Sequence, residues 1–196
     1  VPSRQFDISK IDFDLLSREF AHTRRKNLLL RDLDELVNQQ LAKMLFANPQ
    51  RIDYYDRYQE IIDAYNAEQN RATIEKTFMD LMELASSLDT EQQRYVREGF
   101  SSDEELSVYD LLFSENLTKQ EIETIKKVSV DLLTKIKQQI AKLDHWTDKQ
   151  ETKAIVDNLI RNTLWQELPN SYDVSDIQTY QKKIYEYVYM RYPEVA

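Results

Sequence analysis

A chain of 196 residues with one glycine and no cysteine is long enough for one sizeable core or two small ones. It lacks the residues on which β-hairpins, phosphate-cradling loops, disulfides and thiolate metal sites depend. The formal net charge of -9 argues against unaided, tight binding to duplex DNA, whose nonspecific affinity comes from cations neutralising phosphates. A helical chain with a protein partner is the default expectation.

Absence of cysteine agrees with a reducing cytoplasm. No apolar run reaches membrane-spanning length, so no membrane is expected as a partner. The N-terminal stretch VPSRQFDISK has neither a signal-peptide apolar region nor an initiating methionine. The expectation is a piece excised from a longer protein.

From Asp12, apolar residues recur at Phe13, Leu16 and Phe20, then at Leu30, Leu33, Val37, Leu41 and Met44, the spacing of a helix face. Continuous to Phe46, this predicts one helix about 50 Å long. The triplet Leu28-Leu29-Leu30 is apolar on more than one side and is expected to lie between other elements. Asn48-Pro49 interrupts the run. Asp53 is then predicted to cap a helix carrying Tyr54, Tyr58, Ile61, Ile62 and Tyr65, which ends in the polar stretch 66–70.

The next helix presents Ile74, Phe78, Leu81, Met82 and Ala85, with a bend expected near Asp89 and a stop at Gly99. Three further starts have capping-box spacing: Ser102 with Glu105, Thr118 with Glu121, and Thr147 with Gln150. The helix from Thr118 draws the clearest stripe, through Ile122, Ile125, Leu132, Ile136, Ile140 and Leu143, and ends at Asp144-His145-Trp146. Ile155, Leu159, Ile160 and Leu164 mark another helix, broken at Leu168-Pro169-Asn170. The last, with Ser175 and Gln178 as its predicted cap, shows Ile177, Tyr180, Ile184 and Val188 and stops before Pro193. The fold class is therefore all-α, an irregular array of long antiparallel helices. Residues 1–196 are read as one helical domain with sub-lobes 1–100 and 101–196.

Catalytic signals are weak. Glu19-Phe20-Ala21-His22 imitates half of a di-iron motif, but such sites need the pair twice with two more glutamates, and His145 is preceded at the matching place by Lys142. Glu151-Thr152-Lys153, with Asp144 or Asp148 upstream, imitates the acidic-x-Lys ending of nucleases. In a helical first turn it is better read as dipole electrostatics. One glycine cannot supply a Walker loop, and neither histidine belongs to a nucleophile motif. No catalytic, cofactor or metal residue is assigned.

Binding signals are more numerous. Arg24, Arg25, Lys26 and Arg31 form a candidate DNA-proximal basic patch, and Lys126, Lys127, Lys135 and Lys142 a second, although solvated helix faces are the commoner explanation. Twelve tyrosines are many for this length. The cluster Tyr180, Tyr185, Tyr187, Tyr189 and Tyr192 cannot all face one core from one helix. Tyr54, Tyr58, Tyr185, Tyr187, Tyr189 and Tyr192 are the candidate partner contacts.

The order of a leucine-rich helix, Asn48-Pro49 with Arg51, an aromatic and acidic stretch and then Tyr65-Asn66 resembles the C-terminal helical region of type I restriction enzyme R subunits. Further pieces agree: Asp12 to Leu16 upstream, Leu81 to Ala85, the acidic-Leu-x-x-Tyr-Asp-x-Leu pattern of Ser102 to Leu112, and Asp144-His145-Trp146-Thr147. The resemblance implies a non-catalytic assembly domain. It would dock the ATP-driven motor and nuclease domains of the same polypeptide onto the methyltransferase core of M and S subunits, in the prokaryotic cytoplasm. DNA would be met only within that complex, and ATP and magnesium are expected only in the parent protein. A stand-alone helical adaptor is the alternative, with a metal-dependent helical bundle enzyme further behind.

Overall fold

A computed structural model describes residues 10–194; the start of the N-terminal segment read above for a leader lies outside them. Regular structure among the described residues is helical, with no strand. They divide into two compact units, the first running to Arg94 and the second beginning at Tyr95.

The first unit contains α1 (Phe13–His22), α2 (Lys26–Ala47), a 3-10 turn (Pro49–Arg51), α3 (Ile52–Ala67) and α4 (Arg71–Gln92). The single long helix expected from Asp12 to Phe46 is two helices. The Asp12 side chain caps the first, accepting from the Leu15 amide, but Thr23 turns extended (φ -75°, ψ 145°) and ends it. The Thr23 hydroxyl oxygen accepts from the Arg25 amide at 3.1 Å, and Lys26 Nζ donates back to the Phe20 carbonyl at 2.7 Å. A short polar side chain thus offers the backbone a turn in place of a helical bond. The leucine triplet also departs from expectation: Leu30 is buried, but Leu28 is exposed, because only one side of α2 is covered.

Asn48 organises the next corner. It is fully buried, and its side-chain oxygen accepts from the Gln50 amide at 3.1 Å, with Pro49 at the first position of the 3-10 turn. Asp53 is therefore not the cap; it sits in the first turn of α3, where its charge still suits the helix dipole. Arg51, also buried, donates from Nε to Glu91 Oε1 at 3.0 Å and ties the corner to the end of α4. At the opposite end Lys26 meets Glu75. α2 and α4 consequently run in the same direction, and α3 returns between their ends. Phe20 stacks on Phe78 with ring centroids 3.7 Å apart, and Val37, Leu41, Leu84, Ala85 and Leu88 fill the centre.

The second unit begins with the rest of the short helix α5 (Arg94–Arg97), then α6 (Asp103–Leu112), α7 (Lys119–Ile140), α8 (Gln150–Glu167) and α9 (Val174–Arg191). Gly99, at φ +84°, closes α5 in the left-handed region, as read, with the Phe100 amide reaching back to the Tyr95 carbonyl at 2.9 Å. α6 packs on α7, α7 on α8, α8 on α9, and α9 back on α6, which closes a four-helix bundle. The Thr118 and Glu121 capping box is complete. Ser102 caps α6, but Glu105 returns its carboxylate to the Ser101 amide rather than to Ser102.

Two predicted caps move. Thr147 is not a cap; α8 starts at Gln150 after Lys149, and the turn before it is held by the Thr152 hydroxyl donating to the Trp146 carbonyl at 2.7 Å. The cap of α9 is Asp173, boxed with Asp176, two residues before Ser175. A carboxylate at the cap both accepts the free amides and meets the positive helix end. Ile155, read as core, is exposed, and Val156 takes the interior place.

Candidate functional site: a tyrosine face and a basic cleft

Trp146 is the largest side chain among those fully enclosed, and its indole N–H donates to the Tyr192 carbonyl at 2.7 Å across 46 residues. That bond satisfies the one polar atom of the ring and pins the end of α9 to the turn between α7 and α8. Tyr185 and Tyr189, one helical turn apart, set their rings edge-on to the indole at 6.2 and 5.7 Å. Lys153 of α8 places its ammonium 5.8 Å from the centre of the Tyr189 ring.

The six candidate contact tyrosines thus separate. Tyr58, Tyr187 and Tyr192 are buried within their own units, and the partner-contact expectation does not reach them on the surface. Tyr58 donates to Asp34 Oδ1 at 2.7 Å, and burial, reinforced by that carboxylate, pushes its phenol above the ordinary range. Tyr54 is half-buried beside Glu91, and Tyr185 is half-buried beside Trp146; burial raises both phenols. Tyr189 is exposed, next to Met190, which is 68% exposed. Trp165, Ile155 and Val174 add further exposed apolar surface to α8 and α9.

The basic residues also divide. Of the second patch, Lys126 pairs with Glu98 and Glu123 and Lys135 with Asp131 and Glu167, as the nearby Lys137 does with Glu104, so two of its four cations, Lys126 and Lys135, are offset by neighbouring carboxylates. The four residues of the other patch come together in the first unit. Arg24, Arg25 and Lys26 line a cleft of about 520 Å³, and across it stand Gln69, Asn70, Arg71 and Ile74, at the start of α4. Arg31 lines a neighbouring pocket of about 220 Å³ with Asp34, Tyr65 and Thr77, and Asn27 forms a wall of both. Arg71 and Thr77 escaped the sequence reading because nothing local links them to residues 24–31, and Asp34, one turn from Arg31 on α2, belongs to no motif.

Among the described residues no group of three or more histidine and carboxylate side chains converges as a metal site would require. No helix among them is long and apolar enough to cross a membrane. Glu19 and His22 are both exposed on α1.

The family described as "Type I restriction enzyme HindI endonuclease subunit-like, C-terminal" matches the chain over residues 3–192. No curated protein and no solved structure matches it.

Proposed function

The chain belongs to the type I restriction enzyme HindI endonuclease subunit-like C-terminal family, and from that premise we propose that it is a non-catalytic docking domain. In this reading it holds the motor and nuclease domains of its own polypeptide against the methyltransferase core of M and S subunits, in the prokaryotic cytoplasm. The observation that carries the reading is the span of the match, residues 3–192, on the C-terminal part of an endonuclease subunit.

The surface supports it. Tyr189 and Met190 lie exposed on a helix whose end is fixed by the buried Trp146. A rigid aromatic residue on a pre-ordered element loses little entropy on contact, which is what a docking anchor needs. With a single glycine the chain has no phosphate loop, so ATP and magnesium chemistry is assigned to the motor part of the polypeptide. The domain would serve DNA translocation and cleavage by transmitting load.

The test is Tyr189→Ala with Met190→Ala in the full-length R subunit, scored for assembly with the methyltransferase core and for restriction. Weakened assembly with the ATPase of the isolated subunit intact is expected. Normal assembly and restriction in the double variant would overturn the placement of the anchor.

A further inference from the structure

We propose that the paired cavities of the first unit form a seat for a nucleoside phosphate, with the base in the pocket between α2, α3 and α4 and the phosphate in the basic cleft beside it. The inference stands on side chains remote in sequence from the tyrosine face and is independent of the docking reading.

The smaller pocket has the character of a ring site. Its walls are Leu30, Ile62 and Leu81 with the Tyr65 side chain, which suits the faces of a flat heteroaromatic body. At about 220 Å³ it falls below the roughly 300–1,000 Å³ of pockets that hold whole ligands. One ring system fits, and the remainder of a nucleotide must leave through the mouth.

Two polar groups give the pocket an edge to read. Thr77 is only 4% exposed and lines the pocket. Its hydroxyl can donate to, or accept from, a group that enters the pocket. Among the described residues Asp34 accepts only from Tyr58, on Oδ1 at 2.7 Å, which leaves Oδ2 for a ring N–H or exocyclic amine. An apolar slot with one acceptor and one hydroxyl selects a nitrogen heterocycle over an acyl chain.

Asn27 lines both the pocket and the cleft. There the N-termini of α2 and α4 both line the wall. α2 has no side-chain cap and no acidic residue in its first turn, and α4 has no acidic residue in its first turn either. Glu75 engages both Lys26 and Arg71, at 3.8 and 3.2 Å. The positive charge that no carboxylate offsets among the described residues is therefore that of Arg24 and Arg25. Guanidinium groups and helix N-termini together favour a phosphate. Two such arginines on a chain of net charge -9 are too few to hold a duplex backbone by counterion release alone.

A free mononucleotide and the terminal nucleotide of a single strand present the same chemistry. Calorimetry on the whole chain distinguishes them, with ribonucleoside monophosphates of each base, their nucleosides, inorganic phosphate, a 5′-phosphorylated single strand and a blunt duplex as probes. A monophosphate is expected to bind more tightly than its nucleoside or inorganic phosphate. Thr77→Val should weaken it by roughly fivefold and Arg25→Ala by roughly tenfold, with melting unchanged. If Thr77→Val alters melting, Tyr65→Leu supplies the same test from the opposite wall. Competition by the single strand identifies a strand end as the ligand, and its failure a free nucleotide; both uphold the seat. No saturable binding of any probe would overturn it, as would binding matched by inorganic phosphate and indifferent to Thr77→Val.

Discussion

Arg51 Nε donates to Glu91 Oε1 at 3.0 Å from a side chain 3% exposed, joining the corner after α2 to the last turn of α4. Arg94 holds both oxygens of the same carboxylate, and the Tyr54 hydroxyl lies 3.5 Å from Oε2. The Asn-Pro-x-Arg stretch is thus a latch: Asn48 and Pro49 shape the turn, and Arg51 carries the bond.

Removal of one partner from a buried ion pair leaves the other charge without compensation. Glu91→Ala should destabilise the chain by about 3–5 kcal/mol, and Arg51→Ala by less, because Arg94 still holds both oxygens of Glu91. Arg51→Met with Glu91→Leu should cost much less than the sum of the single changes, since the two side chains share one interaction. Denaturant midpoints of the four proteins measure this; additive losses would show that the pair is not coupled.

Trp146 and Tyr189 touch but are expected to differ in what their loss costs. Trp146→Ala empties an enclosed site and frees the Tyr192 carbonyl, so a loss of about 3–5 kcal/mol is expected. Tyr189→Ala removes a ring that is 37% exposed and meets the indole edge-on, so a smaller loss of about 1–2 kcal/mol is expected. Thermal melts of both variants check the division between support and surface.

High pH should unfold the chain through its buried phenols. Tyr58, Tyr172 and Tyr192 are all held above the ordinary value of 10.0, burial being the largest cause in each. A folded value above the unfolded one contributes stability that is complete below pH 10.0 and is lost as pH rises past it toward the folded values. Tyrosinate absorbance and helix ellipticity, followed together, should show exposed tyrosines ionising first and the buried ones only as helix is lost. Complete ionisation with the helices intact would contradict the burial.

Gly99 is retained for its backbone, not for space. Its φ is +84°, and a Cβ added there would meet nothing within 4 Å. Gly99→Ala should therefore cost about 1 kcal/mol, with no change in the packing of Phe100 against Tyr109, whose rings lie 5.4 Å apart. A chemical denaturation curve with an unaltered slope would confirm a local conformational cost.

Legibility in the sequence followed the range of each interaction. The stripe from Ile125 to Ile140, the Thr118 box and the Gly99 stop all rest on neighbours within a turn or two, and the structure has them as read. Missed boundaries were decided by competition among equally plausible caps: Asp173 against Ser175, Asn48 against Asp53, and the Thr23 turn inside an otherwise unbroken apolar period. Tyrosine counting indicated that some rings must be exposed, but which ones depends on how α9 packs on α6 and α8. The bond of Arg51 to Glu91, and the meeting of Thr77 and Arg31 in the lining of one pocket, join different helices and are encoded by no local pattern.

The proposed role is that of the part of an endonuclease subunit that attaches motor to methyltransferase. Calorimetric titration of the purified chain into the assembled methyltransferase core, at moderate salt and without DNA, tests it most directly. Saturable binding that Tyr189→Ala weakens is the predicted result. A folded chain, shown by circular dichroism, that releases no heat on titration and fails to co-elute with the core would contradict it.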